Sequence, residues 1–315
     1  RGAERVLDRF AERYGPTDLY SLVHDGSPLT PAIDACRFHL SPLQHLPGGR
    51  GRLRRWYLPV IPRMIESLKI RQCDLVLSDS SSVAKSVKVP EGVPHLCYCH
   101  SPARYIWDQT EDYATGSMGF LRAGGLRAIR SRFQMWDRRT AARVDRFLAN
   151  SRHIADRIRR CWDRDATVVY PPVRTDYFTP DYGVEREDWF LVVGALEPYK
   201  RTDIAIKAAV KGGYRIKVVG GGSQLDSLRR ESLRGVEFLG RIPDDELRTL
   251  YRRARALLFP QEEDFGIVAV EAQACGCPII ALRRGGALEI ISDECGLFVD
   301  EQTPEAFSDA MAEST

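Results

Sequence analysis

The sequence predicts an α/β protein made of two Rossmann-like domains, each a doubly wound parallel sheet with helices on both faces. The length of 315 residues suits two such domains better than one. Short segments rich in Val, Leu and Ile alternate with helical stretches, the pattern of parallel sheets covered on both faces. Pro171-Pro172 interrupts this alternation, so we predict the domains to be residues 1–171 and 172–315.

The composition is that of a globular protein, with 43% hydrophobic and 28% charged residues. No run of about 18 apolar residues occurs, so we predict no transmembrane helix. The eight cysteines lie mostly in apolar segments, and the spacing of the Cys97/Cys99 and Cys275/Cys277 pairs suits no zinc site. We therefore expect no metal site, buried free thiols and a reducing, cytoplasmic location.

The first domain is predicted to begin with a helix over residues 1–15, whose apolar stripe includes Val6, Leu7 and Phe10. Its strands are predicted at residues 18–23, 73–78, 94–98, 145–149 and 167–170, and residues 118–142 predict a long basic helix. A doubly wound domain ordinarily opens with a strand that a glycine-rich turn joins to the first helix. Only the turn, at Gly2, is present here, so we expect the first strand to be absent from this sequence.

The second domain is predicted to repeat the alternation, with a last helix from Pro304 onward. Its strands are predicted at residues 189–194, 214–220, 236–240, 255–259, 278–282 and 296–299. Gly220 ends the second of these strands and Gly222 follows it, but Leu225 stands at the third glycine position of the dinucleotide fingerprint, which counts against NAD. Gly286 lies in another strand-to-helix turn, whose backbone amides are candidates for contact with phosphate or for a plain tight turn.

Residues 260–278 are the main functional signal of the sequence, because they place carboxylates at the carboxyl end of a strand, where parallel sheets bind ligands. Phe265 and Gly266 open a helix in which Glu271 interrupts an apolar face, and a buried carboxylate needs donors. Glu263 lies eight residues earlier in the preceding loop, so both acids can border one crevice and accept hydrogen bonds from hydroxyl groups. The helix dipole explains other acids of this loop but not Glu271, which lies too deep in the helix.

Two cations follow the first strand of the second domain. Lys200 and Arg201 stand at a predicted helix start, where free N–H groups and positive charge favour a pyrophosphate. Solvated surface cations are the alternative. In the first domain, His100 lies in the polar and aromatic segment 98–108, directly after a predicted strand. Two roles stay open for it, a residue that faces a ligand-binding cleft and a structural histidine.

The segment EEDFGIVAVEA resembles the E-x7-E signature of retaining GT-B glycosyltransferases of the family 4 type. This resemblance implies that Glu263 contacts the transferred sugar and Glu271 the nucleotide ribose, while Phe265, Gly266 and the Gly220, Gly222 and Gly286 turns line the nucleotide site. RGAER at residues 1–5 resembles the family's glycine turn and implies that Gly2 closes over the donor phosphates. The family commonly has an arginine where Ala195 stands, so Arg201 is the expected substitute beside Lys200.

The segment CHSPARYIWD resembles the CHTPxRYxWD segment of bacterial mannosyltransferases of the O-antigen type. It implies that His100 contacts the donor sugar, and it makes acceptor-side candidates of four residues that follow, Arg104, Tyr105, Trp107 and Asp108. The implied reaction is transfer of a hexose, mannose from GDP-mannose, to a hydroxyl of a saccharide or lipid-linked saccharide in polysaccharide synthesis, with the anomeric configuration retained. The resemblance also implies no cofactor or divalent metal, and a final GT-B helix that this sequence lacks.

Two rival functions stay open at this point, a GT-B-fold sugar-nucleotide epimerase and a non-catalytic nucleotide-sugar binder. The basic, aromatic residues 50–56 are candidates for contact with an anionic membrane at its inner face, with solvated charge as the commoner explanation. The net charge of +3 and the lack of a nucleic-acid-binding module disfavour nucleic acid as a partner.

Overall fold

The computed structural model describes residues 2–50, 57–107, 119–231 and 234–314. The chain divides into two units, Arg1–Pro172 and Val173–Thr315. This boundary lies directly after Pro172, one residue later than the boundary predicted from the sequence. Each unit has its own parallel β-structure and its own hydrophobic clusters. The candidate functional residues are distributed over both units.

The first unit contains two parallel sheets. Strands β1 (Asp18–Ser21) and β2 (Arg37–Leu40) pair with each other, and a second sheet has the order β3 (Val76–Ser80), β4 (His95–Cys99), β5 (Arg146–Ala149), β6 (Ala166–Val168). The described residues contain no strand that joins β1 to β3. Strand β2 was not predicted, because its four residues RFHL include two polar side chains and form no apolar run.

Six helices belong to the first unit: α1 (Gly2–Tyr14), α2 (Pro31–Asp34), α3 (Ile61–Glu66), α4 (Arg104–Trp107), α5 (Gly119–Ala141) and α6 (Arg152–Trp162), counted over the described residues. The predicted basic helix is α5. Helix α6 begins where Ser151 Oγ accepts the N–H of Ile154 at 3.1 Å, because a serine at this position supplies an acceptor for an otherwise unpaired amide.

The second unit is one six-stranded parallel sheet. Its strands, in chain order, are β7 (Phe190–Val193), β8 (Ile216–Val219), β9 (Val236–Gly240), β10 (Leu257–Phe259), β11 (Ile279–Leu282) and β12 (Gly296–Val299). The spatial order is β12-β11-β10-β7-β8-β9, so the winding direction reverses between β7 and β10. In open α/β sheets ligands bind in the crevice outside the carboxyl ends of the strands at such a reversal.

Helices cover both faces of this sheet: α7 (Thr202–Gly212), α8 (Leu225–Glu231), α9 (Asp244–Arg253), α10 (Ile267–Ala274), α11 (Ala287–Ile290) and α12 (Pro304–Glu313). Alternate residues of one strand enter different clusters. Leu258 packs on one side of β10, whereas Leu257 and Phe259 pack on the other. The prediction of parallel strands buried on both faces is therefore confirmed for this unit.

All eight cysteines are free thiols, six of them buried. Burial raises the pKa of Cys97 and of Cys277 to about 12, which keeps both thiols protonated and unreactive at neutral pH. Cys73 and Cys295 are exposed, so the expectation of burial holds for six positions and is wrong for these two. Within the described residues, no helix is both long enough and apolar enough to cross a membrane.

Candidate functional site

The loop after β10 is held in place by backbone contact with the turn before α11. Glu263 forms a parallel bridge with Gly285, and the N–H of Gly286 donates to the Glu263 carbonyl at 2.8 Å. A Cβ at Gly285 would lie 2.5 Å from that carbonyl oxygen, and one at Gly286 would lie 2.6 Å from the Cα of Phe265. Glycine is therefore required at both positions, and the Gly286 amide hydrogen is used to position Glu263.

Lys200 and Glu263 form an ion pair across the point where the strand order reverses. Lys200 ends a short 3₁₀ turn, Pro198–Lys200, that follows β7, and its ammonium donates to Glu263 Oε2. The two side chains are only 17% and 20% exposed, which strengthens their attraction relative to a solvated pair. The buried Gln261 donates to the same carboxylate oxygen at 3.4 Å. Sequence reasoning missed Gln261, although it is the first polar residue after β10.

Gly220 and Gly222 bring the turn after β8 against the loop after β7. Gly220 has a φ of +130°, and a Cβ there would lie 1.8 Å from the Gly194 carbonyl oxygen. A Cβ at Gly222 would lie 2.4 Å from the carbonyl oxygen of Leu196. Both positions therefore require glycine, because the backbone of the neighbouring loop lies too close for a Cβ atom.

Arg201 is held by residues of its own unit. Its guanidinium donates to Asp203 Oδ1 at 3.3 Å and to Gln302 Oε1 at 3.1 Å. Gln302 in turn donates to the carbonyl of Pro260 at 2.8 Å, which ties this cluster to the end of β10. Arg201 is therefore connected through Gln302 to the residue that follows β10, and its contact with a diphosphate stays a prediction.

Glu271 is a buried acid, 3% exposed, in helix α10. It lies one turn before Cys275, whose pKa is raised to about 11 by burial, with the Glu271 charge acting in the same direction. At the start of the same helix, Gly266 has a φ of +102° and packs against Phe259 and Ile290, and Phe265 is buried. The sequence pattern thus correctly predicted a carboxylate embedded in an apolar helix face.

In the first unit, His100 lies just past the carboxyl end of β4 and is paired with Asp79 of β3. The distance between His100 Nε2 and Asp79 Oδ1 is 2.5 Å. The Tyr98 ring lies against the imidazole with 5.1 Å between centroids, and the Asn150 amide donates to the His100 carbonyl at 3.2 Å. Sequence reasoning missed Asp79, whose one signal was an acid directly after the predicted strand 73–78.

Two of the acceptor-side candidates after His100 form hydrogen bonds with other side chains of the first unit. The Trp107 indole N–H donates to Asp137 Oδ2 at 2.8 Å, and the Tyr105 hydroxyl is 2.8 Å from the Ser82 hydroxyl. Helix α4, which contains Arg104, is thereby fastened to α5. Asp108 lies outside the described residues.

The structure describes little of two further predicted sites, the turn at Gly2 and the basic residues 50–56. Gly2 begins α1. Of the basic residues 50–56 only Arg50 is described, and it donates to the Gln44 carbonyl at 3.4 Å. In the described part of the chain, no group of three or more His, Cys, Asp or Glu side chains is arranged to hold a metal ion.

Comparison with known families assigns the chain. A family model described as Glycosyltransferase Family 4 matches residues 1–177, more than half of the chain. The chain belongs to this family. A second model, described as Glycosyl transferases group 1, matches residues 180–314 of this family 4 chain.

Curated relatives carry a related name. A D-inositol 3-phosphate glycosyltransferase of Mycobacteroides abscessus is 31% identical over 195 residues, which cover 54% of this chain and 44% of the relative. A protein of the same name from Acidothermus cellulolyticus is 37% identical over 142 residues, covering 38% and 32% of the two chains. The family 4 chain thus matches less than half the length of these relatives, and their names do not include mannose.

A solved structure supports the fold. The HepE protein of Anabaena, crystallised with UDP and glucose, superposes with a TM-score of 0.67 at 17% identity, over 99% of this chain and 86% of that one. At this identity the similarity concerns the fold. The prediction of two Rossmann-like domains with parallel sheets, as in GT-B glycosyltransferases, is confirmed.

Proposed function

We propose that this family 4 chain is a glycosyltransferase that moves a hexose from a nucleotide sugar to a hydroxyl group of an acceptor, with retention of anomeric configuration. The observation that carries the proposal is the Lys200–Glu263 ion pair, which lies where the strand order reverses between β7 and β10. The buried Glu271 lies in α10, the helix that follows the loop of Glu263. A cation for phosphate and two acids for hydroxyl groups are the groups that a nucleotide sugar needs.

Each of these side chains has a role in the proposed reaction. Lys200 neutralises charge that develops on the leaving diphosphate, with Arg201 as a second cation. Glu263 accepts hydrogen bonds from hydroxyls of the transferred sugar, and Glu271 accepts them from the ribose. The leaving diphosphate takes the proton of the attacking acceptor hydroxyl, so the protein mainly positions the reactants and stabilises charge. The charge on the diphosphate is balanced by side chains and helix N-termini without a divalent metal.

The proposed donor is GDP-mannose, on the basis of the likeness of residues 99–108 to the CHTPxRYxWD segment. The proposed acceptor is a hydroxyl of a saccharide or a lipid-linked saccharide, with an anionic membrane as a further contact. HepE was crystallised with UDP and glucose, and the curated relatives are named for D-inositol 3-phosphate. UDP-glucose and inositol 3-phosphate therefore belong beside GDP-mannose and saccharides in any test.

Ligand binding and turnover test the proposal in two steps. A thermal-shift screen of GDP, UDP and their sugars should show stabilisation by one nucleotide series, because a ligand that binds only the folded state raises Tm. With that donor, Lys200→Ala and Glu271→Ala should each lower turnover, by about 100-fold or more for Lys200 if it stabilises the leaving group.

The matched control is Lys211→Ala, which removes an exposed lysine of α7 that pairs with Glu305. Its turnover should equal that of the unaltered protein. Unchanged turnover in Lys200→Ala or Glu271→Ala would remove that residue from the proposed site. Turnover should also persist in excess EDTA, and its loss with recovery on adding Mg²⁺ would contradict the metal-independent mechanism.

A further inference from the structure

Asp79 and His100 are brought together by the register of two neighbouring strands. Asp79 pairs with Tyr98 in the β3–β4 ladder, and the His100 N–H continues the ladder by donating to the Ser80 carbonyl at 2.8 Å. His100 lies two residues beyond Tyr98, so its side chain points to the same face as that of Asp79. The resulting pair lies at the carboxyl edge of the sheet, with the two side chains 12% and 13% exposed.

The pair determines which imidazole nitrogen faces a ligand. A carboxylate can only accept a hydrogen bond, so Nε2 of His100 is the donor and carries a proton. In the neutral ring, Nδ1 then has a lone pair and no hydrogen. Within the described residues, Nδ1 has no hydrogen-bond partner, and it is not one of the fully buried unpaired atoms. It is therefore an accessible acceptor on a ring that Asp79 and Tyr98 hold in place.

We propose that Asp79 is a positioning residue that orients His100 so that Nδ1 accepts a hydrogen bond from a hydroxyl group of a bound sugar. This inference rests on the proposed glycosyltransferase function and goes beyond it, because the family resemblance names neither the partner of His100 nor the nitrogen that binds. A histidine whose second nitrogen is fixed by a carboxylate has a defined tautomer and ring orientation, as in sites where histidines bind metals.

The test compares Asp79→Asn with Asp74→Asn, which alters an exposed acid just before the same strand. Asp79→Asn should lower turnover by about 10- to 100-fold, by analogy with the range for outer partners that orient metal-binding histidines. Asp74→Asn should match the unaltered protein. Because Asp79 acts through His100, Asp79→Asn should have no further effect in a His100→Ala background, and additive losses would overturn the inference.

A second measurement needs no turnover. Imidazole ¹⁵N and ¹H NMR of the full chain should show His100 protonated on Nε2, with a downfield proton that is lost in Asp79→Asn and kept in Asp74→Asn. Addition of the donor found by thermal shift, or of the acceptor, should move the Nδ1 resonance in the unaltered protein, and the ligand that does so is the source of the hydroxyl. Asp79→Ala serves as a second variant if the asparagine variant does not fold.

The outcomes separate the two proposals. If the protein turns over a nucleotide sugar and Asp79→Asn equals Asp74→Asn in rate, the positioning role is overturned and the proposed function stands. If no nucleotide sugar is turned over or bound, the proposed function fails and the sugar-hydroxyl role of Nδ1 fails with it. A loss of donor hydrolysis in Asp79→Asn supports a donor hydroxyl, whereas a raised acceptor KM alone supports an acceptor hydroxyl.

Discussion

At the scale of single residues, the first unit contains a fully buried ion pair between Lys85 and Asp137. The Lys85 ammonium lies 2.9 Å from Asp137 Oδ1, donates to Thr140 Oγ1 at 3.1 Å and sits 4.5 Å from the centre of the Trp162 ring. Asp137 also accepts the indole N–H of Trp107, so this pair fastens the segment that follows His100 to α5.

Removing one partner of this pair should be costly, because the other charge would be left buried without compensation. We expect Lys85→Met to lower the free energy of unfolding by about 3–5 kcal/mol. The measurement is equilibrium denaturation in urea. Lys211→Met, which breaks the exposed pair with Glu305, is the matched control and should change stability little. Equal effects of the two substitutions would contradict the argument.

Sequence reasoning identified single residues where the local pattern carried the information. The burial of Glu271 follows from its apolar neighbours at helical spacing, and the spacing from Glu263 is visible in the chain itself. Asp79 and Gln261 could not be found in this way, because their roles depend on which strands become neighbours and in what register. Long-range pairing of side chains is not encoded in any local pattern.

At the scale of elements, the glycine turns after β8 and before α11 set how closely neighbouring loops approach. The sequence predicted the elements on either side of these turns, and all eleven predicted strands overlap observed ones within a few residues of their limits. It offered contact with phosphate or a plain tight turn as alternatives for Gly286. The structure shows that this residue is needed because backbone lies against backbone, a distance that residue types do not report.

We expect Gly286→Ala to displace the loop that carries Glu263, since the new Cβ would lie 2.6 Å from the Cα of Phe265. Overpacking of this kind costs about 1–3 kcal/mol, and turnover should fall together with Tm. Gly183→Ala is the matched control, because a Cβ there meets no atom closer than 3.5 Å. Thermal unfolding and turnover of both variants test this expectation, which an unaltered Tm and rate in Gly286→Ala would refute.

At the scale of the whole molecule, the chain forms two units with separate cores. The second has one uninterrupted sheet of six strands with clusters on both faces, whereas the described part of the first has two smaller sheets. The number and type of most strands followed from hydrophobic patterning. The division of the first unit into two sheets did not, because it depends on pairing between distant segments.

We expect residues 173–314, produced alone, to fold cooperatively, since every strand of their sheet and both hydrophobic clusters lie within that range. Circular dichroism at increasing temperature should show one sharp transition. A broad or absent transition would show that the second unit depends on the first.

The stability of the whole chain should fall in mild acid because of His95. Burial lowers the pKa of His95 below its ordinary value of 6.5, while its ring contacts Ser78 Oγ at 2.9 Å. Below about pH 6.5 the unfolded chain binds a proton at this position more readily than the folded chain, so unfolding is favoured as the pH falls, and the contribution is complete above that pH. Urea denaturation at pH 7.5 and 5.5 measures this loss.

His95→Gln should flatten the pH dependence, because the group that titrates has been removed. His45→Gln, at an exposed histidine of the same unit, is the control and should retain the slope of the unaltered protein. A His95→Gln variant with that same slope would show that other groups cause the acid sensitivity.

If the proposed function is correct, the ion pair between Lys200 and Glu263 has a consequence for how the nucleotide and sugar halves of the donor bind. In the resting protein each charge satisfies the other, so a nucleoside diphosphate that recruits the lysine must first break this bond, and a free sugar must do the same from the acid side. A molecule that carries both halves breaks the ion pair once and forms two new contacts, one with Lys200 and one with Glu263. Its binding free energy should therefore exceed the sum of those of its separate halves, and isothermal titration calorimetry can measure the excess.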